Sequence, residues 1–208
     1  MKKKVIEKIN IQKRVFLLLV LVFSFNLNIF ANESYTKQDI EKMISKMLII
    51  GFNGETVNSN DEIYKNIKSG LGGVILFDKD PNDKNKRKNV RNKEQLKVLT
   101  SQLQSISKQK LLISIDQEGG IVQRLKSEDG FVNTLKASEV ALRGENFART
   151  SYKSLAKDLK ESGINNDFAP VVDLAINKQN KVIVAKGRSF GESSAEVIKY
   201  SSIFVDEL

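Results

Sequence analysis

The segment most able to do chemistry is Asp116-Gln117-Glu118-Gly119-Gly120-Ile121-Val122-Gln123-Arg124, which begins where a short apolar run, residues 111–115 (LLISI), ends. In parallel α/β folds, ligands meet the carboxyl ends of strands. A carboxylate emerging there accepts hydrogen bonds from sugar hydroxyls, and two consecutive glycines let the backbone turn closely. Arg124 is placed to donate to the same hydroxyls from the far side of the loop. Asp and paired Gly also serve any tight turn after a strand, so taken alone the segment leaves both readings open. Asp116 and Glu118 alternate in sequence, so strand geometry sends their side chains apart. That disfavours them as a pair of carboxyls acting together on one reacting atom.

Composition limits the chemistry further. The chain has no Cys and no His. Disulfides and thiolate metal sites are excluded, as is a lipidated cysteine, and so is every triad, acid/base pair or zinc site that uses histidine. The net charge of +9 over 208 residues suggests nucleic acid until it is located. Six basic residues before position 15, against the single Glu7, supply much of it. A second cluster, Lys84, Lys86, Arg87, Lys88, Arg91 and Lys93, lacks interleaved aromatics on which bases would stack. We read it as a solvated loop and expect no nucleic-acid partner.

The elements that must position the loop follow from periodicity. Thr36 with Asp39 resembles a capping box, and Ile40, Met43, Ile44 and Met47 follow at helical spacing. Residues 48–52 (LIIGF) read as strand one. Ile63, Ile67 and Leu71 stripe a helix that stops at Gly70, before strand two at residues 73–77 (GVILF). Leu96, Leu99, Leu103 and Ile106 mark an amphipathic helix ahead of strand three, residues 111–115. A long connection containing Asp129 and Gly130 leads to a helix through Phe147, Leu155, Ala156 and Leu159, with Gly163 as its left-handed cap. Strand four spans residues 166–174, and Ser193 with Glu196 caps a last helix. Alternating strands and helices, with apolar strands buried on both faces, predict an α/β protein with a parallel sheet and right-handed crossovers. Four strands fit either a small doubly wound sheet or about four β/α units of an eight-stranded barrel, which needs about 250 residues. A dinucleotide fold is disfavoured, because Gly70-Leu71-Gly72-Gly73 precedes a strand instead of following one.

Ahead of this domain, residues 1–14 are basic and residues 15–25 (VFLLLVLVFSF) almost wholly apolar. The apolar core makes roughly 16 Å of helix, short for a hydrocarbon layer of roughly 30 Å. The outline is that of a signal peptide, residues 1–31, cleaved after Ala31, with an uncleaved anchor as the alternative. The mature domain, residues 32–208, is expected to work outside the cytoplasm, periplasmic or secreted, with no stable membrane span after cleavage.

Residues 45–191 resemble the N-terminal barrel of glycoside hydrolase family 3, in particular its bacterial β-N-acetylhexosaminidase branch. The likeness runs through Ile50-Gly51-Phe52, Gly73-Val74-Ile75-Leu76-Phe77, Asp116 to Arg124, Phe168-Ala169-Pro170-Val171-Val172-Asp173 and Gly187-Arg188-Ser189-Phe190-Gly191. It implies the first part of a TIM (β/α)8 barrel. It also implies a retaining hydrolase that removes terminal N-acetylglucosamine from peptidoglycan- or chitin-derived sugars without metal or organic cofactor. Asp116, Arg124 and Arg188 fall on the family's sugar-binding positions, and Asp173 is read as structural. Ile121 stands where many members have Arg. The family's Lys-His-Phe-Pro-Gly-His-Gly segment, its acid/base histidine and its aspartate nucleophile lie beyond the position matching Leu208. The chain is therefore expected to be incomplete, with no catalytic residue of its own, poorly soluble alone because of its open strand edges, and inactive. A non-catalytic carbohydrate-binding protein with the same front half is one alternative, and a family 3 β-glucosidase or β-xylosidase is another.

Overall fold

The computed structural model describes residues 35–80, 82–83 and 85–208. The signal-peptide reading and Lys84 lie outside the described residues. The chain divides into two units between Ile40 and Glu41, and the sheet belongs to the second, Glu41–Leu208. Along the chain the elements run α1 (Lys37–Met47), β1 (Ile49–Gly51), α2 (Glu62–Lys68), β2 (Gly73–Ile75), α3 (Lys93–Ile106), β3 (Leu112–Ile115), α4 (Ala137–Arg143), α5 (Glu145–Glu161), β4 (Asn166–Asp167) and α6 (Ser194–Glu207).

The four strands form one parallel sheet in the order β1-β2-β3-β4, with Val74 opposite both Ile50 and Ile113, and Ile115 opposite Asp167. Gly73 is required at its register position, since a Cβ there would lie 2.8 Å from the Leu112 carbonyl oxygen. Helix α3 lays Leu96, Leu99 and Leu103 fully buried on the core, where they join Val74, Leu76, Ile113 and Ile115. The expected caps form. Thr36 Oγ1 accepts from the Asp39 N–H at 3.2 Å, and Ser193 with Glu196 makes a full capping box on α6. Gly163 takes φ +73° behind α5, and a Cβ on it would meet Thr100 Oγ1 at 2.6 Å.

Three expectations need correction. Strand β4 pairs over two residues instead of nine. The Phe168 N–H still reaches the Ile115 carbonyl at 2.9 Å, but Pro170 has no N–H to continue a ladder, and residues 168–192 run on as irregular chain. A single side chain substitutes for pairing at the start of the strand: Asn165 accepts from the Ile113 N–H at 2.8 Å and donates to the Leu111 carbonyl at 2.9 Å. The long connection holds a helix, α4, which buries Ala137 and Val140 and ends at Gly144 with φ +87°. Finally, the strands are not all covered on both faces. Strand β1 is partly exposed, and Met43, Ile44 and Met47 of α1 also remain exposed, because an apolar stripe fixes where a helix forms but not what packs on it.

Candidate sugar-binding site

Strand β3 delivers Asp116 at its carboxyl end, and the next residue organises everything around it. Gln117 is buried. Its backbone N–H donates to Asp167 Oδ1 at 2.9 Å, its Oε1 accepts from the N–H groups of Arg124 (2.8 Å) and Leu125 (3.0 Å), and its Nε2 donates to the Leu125 carbonyl at 3.1 Å. One side chain therefore closes the loop on itself. Within the loop, Gly119 and Val122 bridge antiparallel, and the Gly120 N–H donates to the Thr134 carbonyl at 2.8 Å. Gly119 and Gly120 adopt φ +97° and +59°, and a Cβ on Gly119 would lie 2.4 Å from the Leu135 carbonyl oxygen. Both the turn and the close approach demand glycine.

Closure of the loop sets Asp116 and Glu118 against separate guanidinium groups. Arg124 Nη2 donates to Asp116 Oδ2 at 3.0 Å, with the guanidinium 5.4 Å from the centre of the Phe77 ring. Arg188 donates from Nε to Glu118 Oε2 at 2.8 Å and from Nη2 to Glu118 Oε1 at 2.6 Å. The hydrogen bonds to Glu118 raise the Arg188 pKa above its ordinary value; burial opposes this, and the charges of Glu118, Asp173 and Asp116 reinforce it. Asp116 thus pairs with one arginine and lies within electrostatic reach of the other, so the predicted trio of Asp116, Arg124 and Arg188 occupies one charged neighbourhood. Nη1 of each arginine, and the buried Nε of Arg124, have no hydrogen-bond partner among the described residues.

Arg188 reaches this neighbourhood because its loop docks beside the first. The Lys136 side chain lies between Gly120 and Gly187: an added Cβ would come within 2.6 Å of Lys136 Cβ at the first glycine and of Lys136 Cδ at the second. The Ser138 N–H donates to the Gly187 carbonyl at 3.1 Å. Asp173 lends its backbone carbonyl to Ser189 Oγ at 2.6 Å, while the residue itself is exposed.

Sequence reasoning missed Asp167 and Glu118 as parts of the site. It weighs Glu118 only as half of a carboxyl pair, whereas both its oxygens are engaged by Arg188. Asp167 sits in β4 beside Ile115. Burial pushes its carboxyl up to about 7, aided by the charges of Asp116 and Glu118 and opposed by the Gln117 hydrogen bond. Its Oδ2 is buried without a hydrogen-bond partner. The only signal for it in the sequence is a carboxylate inside residues 166–174, read as an apolar strand. Among the described residues no three Asp or Glu side chains are grouped to hold a metal ion.

The basic loop is not merely solvated. Arg87 pairs with Asp129 at 2.7 Å, Lys93 with Asp158 at 2.6 Å, and Arg91 with Glu55, while Lys88 lies 4.9 Å from the Phe77 ring centre. The hydrogen bond that Arg87 donates to Asp129 raises the Arg87 pKa, and burial opposes it. These cations face carboxylates that are distant in sequence, which local charge counting does not see.

Residues 39–208 match the family model described as the glycosyl hydrolase family 3 N terminal domain. A protein named beta-hexosaminidase A from Pseudoalteromonas piscicida is 37% identical over 137 residues, which are 62% of this chain and 21% of that protein. A beta-hexosaminidase from Photobacterium profundum is 30% identical over 135 residues, 65% of this chain and 36% of that one. Among solved structures, a glycoside hydrolase family 3 beta-N-acetylglucosaminidase from Paenibacillus sp. str. FPU-7 superposes with a TM-score of 0.70 at 28% identity, covering 84% of this chain and 31% of that chain. The α/β fold is thus that of part of a barrel, and the matched stretch spans 21% and 36% of these two curated relatives.

Proposed function

Because the chain belongs to glycosyl hydrolase family 3, we propose that it supplies the sugar-gripping part of an exported β-N-acetylhexosaminidase acting on terminal N-acetylglucosamine of peptidoglycan- or chitin-derived sugars. The observation that carries this reading is the pair of arginine–carboxylate contacts at the carboxyl end of β3, Arg124 on Asp116 and Arg188 on Glu118. Asp116 uses one oxygen for Arg124 and keeps lone pairs for sugar hydroxyls. Arg124 and Arg188 each keep N–H groups to donate. Glu118, with both oxygens engaged, aims Arg188. Such a rigid set of charged donors and acceptors fixes a pyranose ring and presents its anomeric carbon in one orientation, which converts binding into proximity for the reaction.

The reaction class is retaining hydrolysis. A carboxylate attacks the anomeric carbon while an acid protonates the leaving oxygen, and water then hydrolyses the glycosyl-enzyme. The chain has no His, so the histidine acid/base implied by the family resemblance is not among its residues, and its part in the cycle is binding and orientation. Export rests on the basic stretch and apolar run of residues 1–25. Arg87, Arg91 and Lys93 of the basic loop are each paired with a carboxylate, which lowers the charge the loop offers to nucleic acid.

Calorimetric titration of the full chain with N-acetylglucosamine tests the reading. The folded chain binds the sugar without hydrolysing an N-acetylglucosaminide, and Asp116→Ala, Arg124→Ala and Arg188→Ala each weaken binding by about tenfold or more, as expected for loss of a charged hydrogen bond. Binding that none of the three changes overturns the site. Turnover by the unaided chain overturns the division of labour.

A further inference from the structure

Resting on that reading of the site, one residue is left without an assigned role. Asp167 touches neither arginine, yet it is joined to the whole charged cluster through Gln117. Its Oδ1 accepts the Gln117 N–H at 2.9 Å, and Gln117 in turn holds the N–H groups of Arg124 and Leu125. Gln117 is flanked in sequence by Asp116 and Glu118, the two carboxylates that meet Arg124 and Arg188. A displacement at Asp167 therefore moves both ion pairs together.

The charge balance around Asp167 is specific. The groups acting on it are the Gln117 N–H from the loop after β3 and the carboxylates of Asp116 and Glu118 on either side. The guanidinium groups of Arg124 and Arg188 are engaged by Asp116 and Glu118. Oδ2 of Asp167 is sealed from solvent and has no hydrogen-bond partner. An ionised Asp167 adds a third negative charge to those of Asp116 and Glu118, whereas a neutral one keeps the Oδ1 hydrogen bond and adds no repulsion.

We propose that Asp167 is a positioning residue that fixes the Asp116–Glu118 segment through Gln117, and that it holds the sugar-binding geometry in its neutral form. Ionisation pushes Asp116 and Glu118 outward from the strand ends and loosens their alignment with Arg124 and Arg188. Sugar affinity consequently falls as pH rises through neutrality. The upward shift of this carboxyl to about 7 places the change in a measurable range.

Titrations of the full chain with N-acetylglucosamine between about pH 6 and 8.5, for wild type, Asp167→Asn and Asp167→Ala, test this across the range where the carboxyl changes charge. The wild type loses affinity about five- to tenfold across the range. Asp167→Asn keeps an Oδ1 acceptor and carries no charge; it matches the wild type within about twofold at the acid end and stays flat. Asp167→Ala has no acceptor and binds about tenfold more weakly at every pH. An Asp167→Asn variant that keeps the wild-type pH profile, or an Asp167→Ala variant that binds like wild type, overturns the proposal. A wild-type chain that binds no sugar refutes the sugar site instead, and the lock is then read from the Gln117 amide. Its nuclear magnetic resonance shift titrates near neutrality in the wild type and not in Asp167→Asn, and its hydrogen exchange accelerates in Asp167→Ala. An amide indifferent to both substitutions overturns the lock itself.

Discussion

Arg188 lies fork-on-fork against Glu118, 70 residues away in sequence, through Nε–Oε2 and Nη2–Oε1 contacts of 2.8 and 2.6 Å. Both side chains are mostly covered, at 20% and 10% exposure, so water substitutes poorly for either partner. Arg188→Ala leaves Glu118 covered and unpaired and is expected to cost about 2–4 kcal/mol of folding stability, while Arg188→Lys recovers only part of it because a point charge cannot reproduce the planar fork. Denaturant unfolding of Arg188→Ala, Glu118→Gln and the double variant measures the coupling; additive effects would show that the contact adds nothing.

Gln117 satisfies three main-chain groups of one loop with a single buried amide. Gln117→Met keeps the volume and strands those groups, so a loss of about 2–4 kcal/mol is expected, with weakened sugar binding from the displaced Asp116 and Glu118. Thermal unfolding together with sugar titration checks both effects, and a stable variant with an intact site contradicts the clamp.

Two glycines with similar φ separate steric closeness from conformational cost. Gly119 at φ +97° faces the Leu135 carbonyl oxygen 2.4 Å from an added Cβ, whereas Gly130 at φ +91° has nothing within 4 Å. Gly130→Ala is expected to cost about 1–2 kcal/mol, the left-handed conformation alone. Gly119→Ala costs more, about 3 kcal/mol or above, since backbone must move. Comparing the two unfolding midpoints tests this, and equal losses would show that the Leu135 contact relaxes freely.

Asp167 gives stability a pH dependence whose sign follows from its raised pKa. Between the ordinary carboxylate value of 3.8 and about 7, the folded chain holds a proton that the unfolded chain has released. Stability therefore falls as pH rises through that window and levels off above about 7. The loss attributable to this group is roughly 2–4 kcal/mol. Unfolding curves on the two sides of the upper limit, at about pH 5 and about pH 8, are expected to show it in the wild type, with a smaller difference in Asp167→Asn. Equal differences in the two proteins would assign the effect to other groups.

Much of the architecture was legible in the residue order. The three- and four-residue spacing of Leu96, Leu99 and Leu103 placed α3, the pairing of Ser193 with Glu196 started α6, and the run of residues 111–115 announced β3 with the acidic loop behind it. These are local properties, because periodicity and capping act within a few residues of chain. Family likeness added Arg188 to Asp116 and Arg124 as one group.

What the order of residues could not contain is who faces whom. Glu118 meets Arg188, Asp167 supports Gln117, Arg87 meets Asp129 and Lys136 fills the gap between Gly120 and Gly187 only once parallel strands bring distant loops to one end of the sheet. The structure also showed that β4 pairs over two residues, with Pro170 close behind it, and that α4 occupies the long connection. Sequence alone determined most helices, the first three strands and the acidic loop behind β3, since these depend on short-range chemistry. Tertiary structure decided the ion-pair partners and the buried, neutral-favouring surroundings of Asp167, since these depend on solvent exclusion and on charges brought together across the fold.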